Sequence, residues 1–111
     1  MPKPPKDFCI DSFLYKEYIG KNSWQEPQYA ESVLIEHCRI DRRAEYTITT
    51  SGKQLLYNAV VFCYEEITTP LPDFKAESVL VFDGQDHKVT KVIPIYEAYS
   101  TTIYSYELEV I

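Results

Sequence analysis

Five stretches of strand length, separated by turn and breaker residues, constrain this chain more than any other feature: 33–40, 55–64, 79–82, 87–96 and 102–111. They are rich in Val, Ile, Thr, Tyr and Phe, residues that fit a pleated, half-buried surface. Val33–Ile40 alternates, so Leu34, Glu36, Cys38 and Ile40 are expected on one face and Val33, Ile35, His37 and Arg39 on the other. Leu55–Tyr64 is the most apolar stretch, and its length and Val-Val-Phe content predict one central strand. Asp83-Gly84 divides Val79–Phe82 from His87–Tyr96. Between alternating runs such a pair predicts a tight hairpin, because glycine takes positive φ freely. On the return strand Val89, Lys91, Ile93 and Ile95 share a face, and Pro94, lacking an N–H, places the strand at an edge or near its end. The closing run sets Tyr104, Tyr106, Leu108 and Val110 against Ser105, Glu107 and Glu109.

The remaining segments carry weaker signals. Pro2, Pro4 and Pro5 predict an extended N-terminal segment over 1–7. Phe8–Tyr18 suits a strand or a short helix, since Phe13, Leu14, Tyr18 and Ile19 also fit a helical face. Gly20–Pro27 reads as a turn-rich connection holding Trp24. Asp41–Gln54 reads as a long projecting loop, with Tyr46-Thr47-Ile48-Thr49-Thr50 at its centre and Ser51-Gly52 as a turn. Its Thr-rich alternation permits an extended ribbon but supplies too few apolar residues for a core face. Connections of this length in small domains usually work for function. The expectation is a single all-β domain over 1–111. It is a small antiparallel β-barrel of about five to six strands with long loops, with room for one short helix.

Composition narrows function mainly by exclusion. The net charge is −6, and residues 54–111 carry 3 basic against 9 acidic side chains, while 1–53 balance. The locally basic piece is 39–53, with Arg39, Arg42, Arg43 and Lys53. That is too little for duplex nucleic acid, which needs many phosphate contacts. No apolar run of about 18 residues offers a membrane span, and the start lacks the pattern of a secretory signal. Cys9, Cys38 and Cys63 are odd in number and irregular in spacing, so free thiols in a reducing compartment are expected.

No catalytic or cofactor motif stands out, and no enzyme activity or cofactor is expected. Asp83, Asp86 and His87 meet at the predicted hairpin, but aspartates there more often serve turn geometry than a cation. Glu65-Glu66 and Glu107 with Glu109 read as wet strand faces. Tyr57, Tyr64, Tyr104 and Tyr106 belong to core or rim, whereas Trp24, Tyr96 and Tyr99, near loops or strand ends, are candidate subunit contacts.

The runs Ile35-Glu36-His37-Cys38-Arg39-Ile40-Asp41-Arg42, Gly52-Lys53-Gln54-Leu55-Leu56-Tyr57-Asn58-Ala59, Lys91-Val92-Ile93-Pro94-Ile95-Tyr96-Glu97 and Tyr104-Ser105-Tyr106-Glu107-Leu108-Glu109-Val110 resemble the minor capsid proteins of tailed phages and prophages of Gram-positive bacteria. The layout is similar to the head-completion, or stopper, proteins of long-tailed phages, small β-barrels that form a ring between the portal-adaptor stack and the tail. The resemblance implies a virion protein, present in the host cytoplasm during assembly, with portal or adaptor ring and tail as partners. It implies a homo-oligomeric ring in the virion, a monomer in isolation, and non-specific contact with packaged DNA. In stopper-type proteins a long loop enters the central channel. The matching residues here are Arg42, Arg43, Tyr46, Thr47, Ile48, Thr49 and Lys53. A tail terminator or other minor capsid component shares the same habit. A small-ligand or peptide-binding barrel is the competing class, and a metal-dependent hydrolase has almost no support. Neutralising Arg42, Arg43 and Lys53 together is expected to weaken ring docking or DNA retention, measured as unfilled heads; full heads and unchanged assembly would contradict it.

Overall fold

The computed structural model describes residues 3–111, so Met1 and Pro2 of the expected extended segment lie outside it. A single 3-10 turn, Lys6–Phe8, is the only helical element among the described residues. Ten strands follow: β1 (Asp11–Lys16), β2 (Tyr18–Lys21), β3 (Pro27–Tyr29), β4 (Val33–Asp41), β5 (Glu45–Thr49), β6 (Gly52–Tyr57), β7 (Ala59–Tyr64), β8 (Val79–Phe82), β9 (Gln85–Tyr96) and β10 (Ile103–Val110). Six of them close a barrel in the order β1-β4-β7-β10-β9-β8, every neighbouring pair antiparallel. The two remaining pairs, β2-β3 and β5-β6, are separate two-stranded sheets. The all-β barrel expectation holds, and the segment open between strand and helix is mostly strand.

Alternation explains which residues fill the barrel. Ala59, Val61 and Cys63 face inward from β7, Leu80 and Phe82 from β8, and Tyr106, Leu108 and Val110 from β10. Tyr104 departs from the expected face: it is half-buried and meets Tyr64 edge-on, ring centroids 6.0 Å apart, where the ladder shifts between Ile103 and Ser105. The inside is packed with side chains. Phe74, from the long connection between β7 and β8, enters one end and meets Tyr15 and Tyr106 edge-on at 5.1 and 5.4 Å. Around it, the Tyr106 hydroxyl donates to Asp73 Oδ1 at 3.0 Å and the Lys75 N–H donates to the Tyr15 hydroxyl at 3.0 Å. Burial, with the Asp73 carboxylate beside it, pushes the Tyr106 phenol up to about 12.

Three further sequence expectations are corrected. In β4 the inward residues are Ile35, Cys38 and Ile40, because a bulge at His37 (φ 62°) moves the alternation by one residue. The Thr68 hydroxyl holds that bulge, donating to the His37 carbonyl at 2.7 Å and accepting the Tyr64 N–H at 2.9 Å. In β9 a second shift, between the partners of Glu109 and Val110, turns Val89 and Val92 inward and leaves Lys91 exposed opposite Glu109. Leu55–Tyr64 is two strands rather than one. Asn58 separates β6 from β7 and donates its N–H to the Val110 carbonyl at 2.7 Å.

Two other readings hold. Asp83 (φ 54°) and Gly84 (φ 71°) form the two-residue turn between β8 and β9. Pro94 pairs with Tyr106 on β10, in the part of β9 beyond its pairing with β8, so its missing N–H leaves no ladder bond unmade.

Truncating the plug, Phe74→Ala, should cost about 3–5 kcal/mol in a urea unfolding series, because the aromatic ring leaves a cavity that its neighbours cannot fill. The thiols give an independent check. Cys9, Cys38 and Cys63 are free and buried, and burial pushes Cys38 up to about 12 and Cys63 well above the ordinary thiol value. A thiol reagent at neutral pH should therefore label Cys38 and Cys63, inside the barrel, only at the rate of unfolding.

Candidate functional site

Asp41 at the end of β4 lies opposite Val60 near the start of β7, so the chain leaves and re-enters the barrel at adjacent points. Between them β5 and β6 form a projecting arm. The arm turns at Thr50-Ser51, where the Thr49 hydroxyl donates to the Gly52 carbonyl at 3.0 Å and accepts the Ser51 N–H at 3.3 Å. Gly52 has φ 116°, a conformation that a side chain would strain.

Register sorts the arm's faces. Tyr46 opposes Leu55 and Ile48 opposes Lys53, giving one face three apolar residues and a single cation. Thr47, Thr49 and Gln54 make the other. Ile48 is 87% exposed and Tyr46 50%, and the Lys53 ammonium sits 4.9 Å from the Tyr46 ring centroid. Both outer edges of this two-stranded sheet present unpaired backbone N–H and C=O groups.

Where the arm leaves the barrel, Arg42 makes a clasp. Its Nε donates to Asp83 Oδ2 at 2.7 Å and its Nη2 reaches Asp83 Oδ1 at 3.2 Å and Asp11 Oδ1 at 3.3 Å. The other Asp11 oxygen accepts the Ile40 N–H at 2.9 Å. One guanidinium thus ties the end of β4 to the start of β1 and to the β8-β9 turn, in the forked geometry that suits carboxylates. Its hydrogen bond holds the Asp83 carboxyl below its ordinary range. Arg43 pairs with Asp41 at 2.9 Å.

The seven residues expected to act at a partner or channel loop, Arg42, Arg43, Tyr46, Thr47, Ile48, Thr49 and Lys53, are therefore brought together on the arm and its root. Arg42, Arg43 and Lys53 each have an intramolecular partner. The expected subunit contacts lie elsewhere. Tyr96 ends β9 and Tyr99 sits in the following turn, at the end of β10 opposite the arm, because Ser105 pairs with Tyr64 there and Val110 with Ala59 at the arm end. Trp24 tips the β2-β3 hairpin. All three are exposed.

Sequence reasoning missed Asp11 and Phe74. Asp11 lies about thirty residues before its partner Arg42 and nothing local marks it, although Asp83 was visible as a turn residue. At the hairpin, Asp83 is taken by Arg42 while His87 stacks on Phe82, centroids 3.9 Å apart, so these side chains do not converge. Among the described residues no three His, Cys, Asp or Glu side chains are placed to hold a metal.

The model of a family described as "Minor capsid protein" matches residues 5–110. A curated relative, "Uncharacterized protein ORF5" of Lactococcus phage LL-H, is 28% identical over 80 residues, covering 69% of this chain and 68% of the relative. No solved structure matches the chain.

Acid should loosen the clasp. The contribution of Asp83 is complete above the ordinary carboxylate value and is lost as pH falls through the lowered value set by Arg42. Amide hydrogen exchange over 40–46, taken relative to the intrinsic rate at each pH, should quicken only in strong acid in the wild type. In Arg42→Ala it should already be fast at neutral pH, with barrel amides at 106–110 still protected.

Proposed function

The chain belongs to the minor capsid protein family, and from that membership we propose that it is a neck subunit of the stopper kind, which forms a ring below the portal or adaptor stack and closes the channel over packaged DNA. It works by shape and contact and converts no substrate. One observation carries the reading: an open-edged, partly apolar ribbon mounted on a closed barrel.

A two-stranded hairpin is marginal in water by itself. Ile48 and Tyr46 gain burial, and the free edges gain hydrogen bonds, when arms from neighbouring copies meet in the channel. The Arg42 clasp fixes the direction in which each arm leaves its barrel, so a ring of copies aims its arms alike. The acidic surplus of 54–111 suits a wall that DNA passes without sticking, since like charges repel. The subunit stays monomeric until it meets its docking ring, and the tail then binds the completed neck. A filled barrel interior supports this reading over ligand binding, for the core residues and Phe74 occupy the space that a small molecule would need.

Replacing residues 43–57 with Asn-Gly joins β4 to β7 through the pairing that they already make. Phage carrying this variant should incorporate the subunit yet lose DNA from their heads, read as a large excess of empty over filled particles. Filled, infectious particles containing the shortened chain would overturn the proposal.

A further inference from the structure

The β2-β3 hairpin holds a tryptophan away from its own barrel. Trp24 is 80% exposed. The turn beneath it is ordered by one side chain: Asn22 Oδ1 accepts the Trp24 N–H at 2.9 Å and the Glu26 N–H at 3.0 Å. The Gln25 N–H donates to the Asn22 carbonyl at 3.0 Å, and Asn22 donates its own N–H to the Glu26 carbonyl at 3.0 Å. A large aromatic fixed on a pre-ordered turn loses little freedom when it binds, which is the profile of an interface anchor.

At the base of the same hairpin, where the Ala30 N–H donates to the Glu17 carbonyl at 2.8 Å, is a recess of about 260 Å³. Tyr15, Ala30, Val33, Pro70 and Pro72 line it together with Glu31 and with Glu17, whose carboxylate is paired with Lys75. It is smaller than the 300–1,000 Å³ usual for small-molecule pockets. Its apolar walls and the acidic Glu31 match an indole, which needs one acceptor for its N–H. Lys21, exposed on the same hairpin as Trp24, matches the negative charge of Glu31.

We propose that this recess receives Trp24 of a second copy, and that the contact, repeated head to tail, is the lateral joint of the ring; this rests on the ring reading above. Knob and recess are different surfaces of one chain, so the contact can repeat from copy to copy until the rotation closes; a reciprocal exchange would instead stop at a dimer, which sedimentation tells apart.

Trp24 is the sole tryptophan, so its fluorescence reports the joint directly. Purified protein is titrated to high concentration, and necks rebuilt with subunit carrying hydroxytryptophan at 24, which is excited to the red of the neighbours' tryptophans, are measured alongside, with sedimentation recording association. Association should bring a blue shift of the emission and protection from acrylamide quenching. Trp24→Ala should weaken association roughly thirtyfold or more, the loss typical of a truncated anchor. Val33→Lys, which puts an ammonium in the recess, should abolish the shift while far-ultraviolet circular dichroism shows the barrel intact. Association that proceeds without a shift and survives Trp24→Ala overturns the joint and leaves the ring standing. Failure to associate either in solution or in the neck overturns both.

Discussion

Closure of the six-stranded ladder is the constraint on which the rest of this protein depends. Each barrel strand has a neighbour on both sides, so the backbone of the body is spent internally. Apart from the stretch of β9 that runs on past β8, open strand edges are then left to two small hairpins, β2-β3 and β5-β6, that stand outside the barrel. The division of labour follows: a body that resists association carries appendages suited to it.

Closure in turn requires departures from regular alternation. A short barrel needs its strands to bend, and the bulge at His37 and the shift near Val110 supply that bending. These are also the places where the sequence misleads. Val33–Ile40 alternates convincingly by eye, yet a single extra residue swaps which half of it faces the core. No side chain in that stretch announces the bulge, because the groups that hold it, the Thr68 hydroxyl and the Thr69 backbone, arrive from a distant connection. The Asp83-Gly84 turn was legible because its chemistry is local. The arm was half legible: Ser51-Gly52 and the threonines marked a ribbon, but the boundary at Asn58 was hidden inside an unbroken apolar run whose first half pairs with β5 and second half with the barrel. Phe74 and Asp11 could not be found at all, since each matters only through partners far along the chain.

Electrostatics at the arm shows how a basic stretch can mislead in another way. Read in sequence, Arg42, Arg43 and Lys53 are cations awaiting an acidic surface. Folded, Arg42 serves two aspartates, Arg43 serves Asp41 and Lys53 covers Tyr46. Exposed pairs such as Arg43 with Asp41 add little to stability. The forked Arg42 clasp matters for direction more than for strength, because it joins three separate pieces of the barrel rim.

The way Tyr15 reaches Ser78, a bond between residues 63 positions apart, has a kinetic consequence. Strand β1 finds β4 early in the chain, but its other side waits for β8, so the seam seals late. Folding dominated by such distant pairings is slow, on the order of milliseconds to seconds. During that interval a nascent copy shows the same two raw margins as every other nascent copy, and exchange of strands between them competes with sealing. The finished cylinder offers its siblings no unpaired strand along that seam; the unfinished one does.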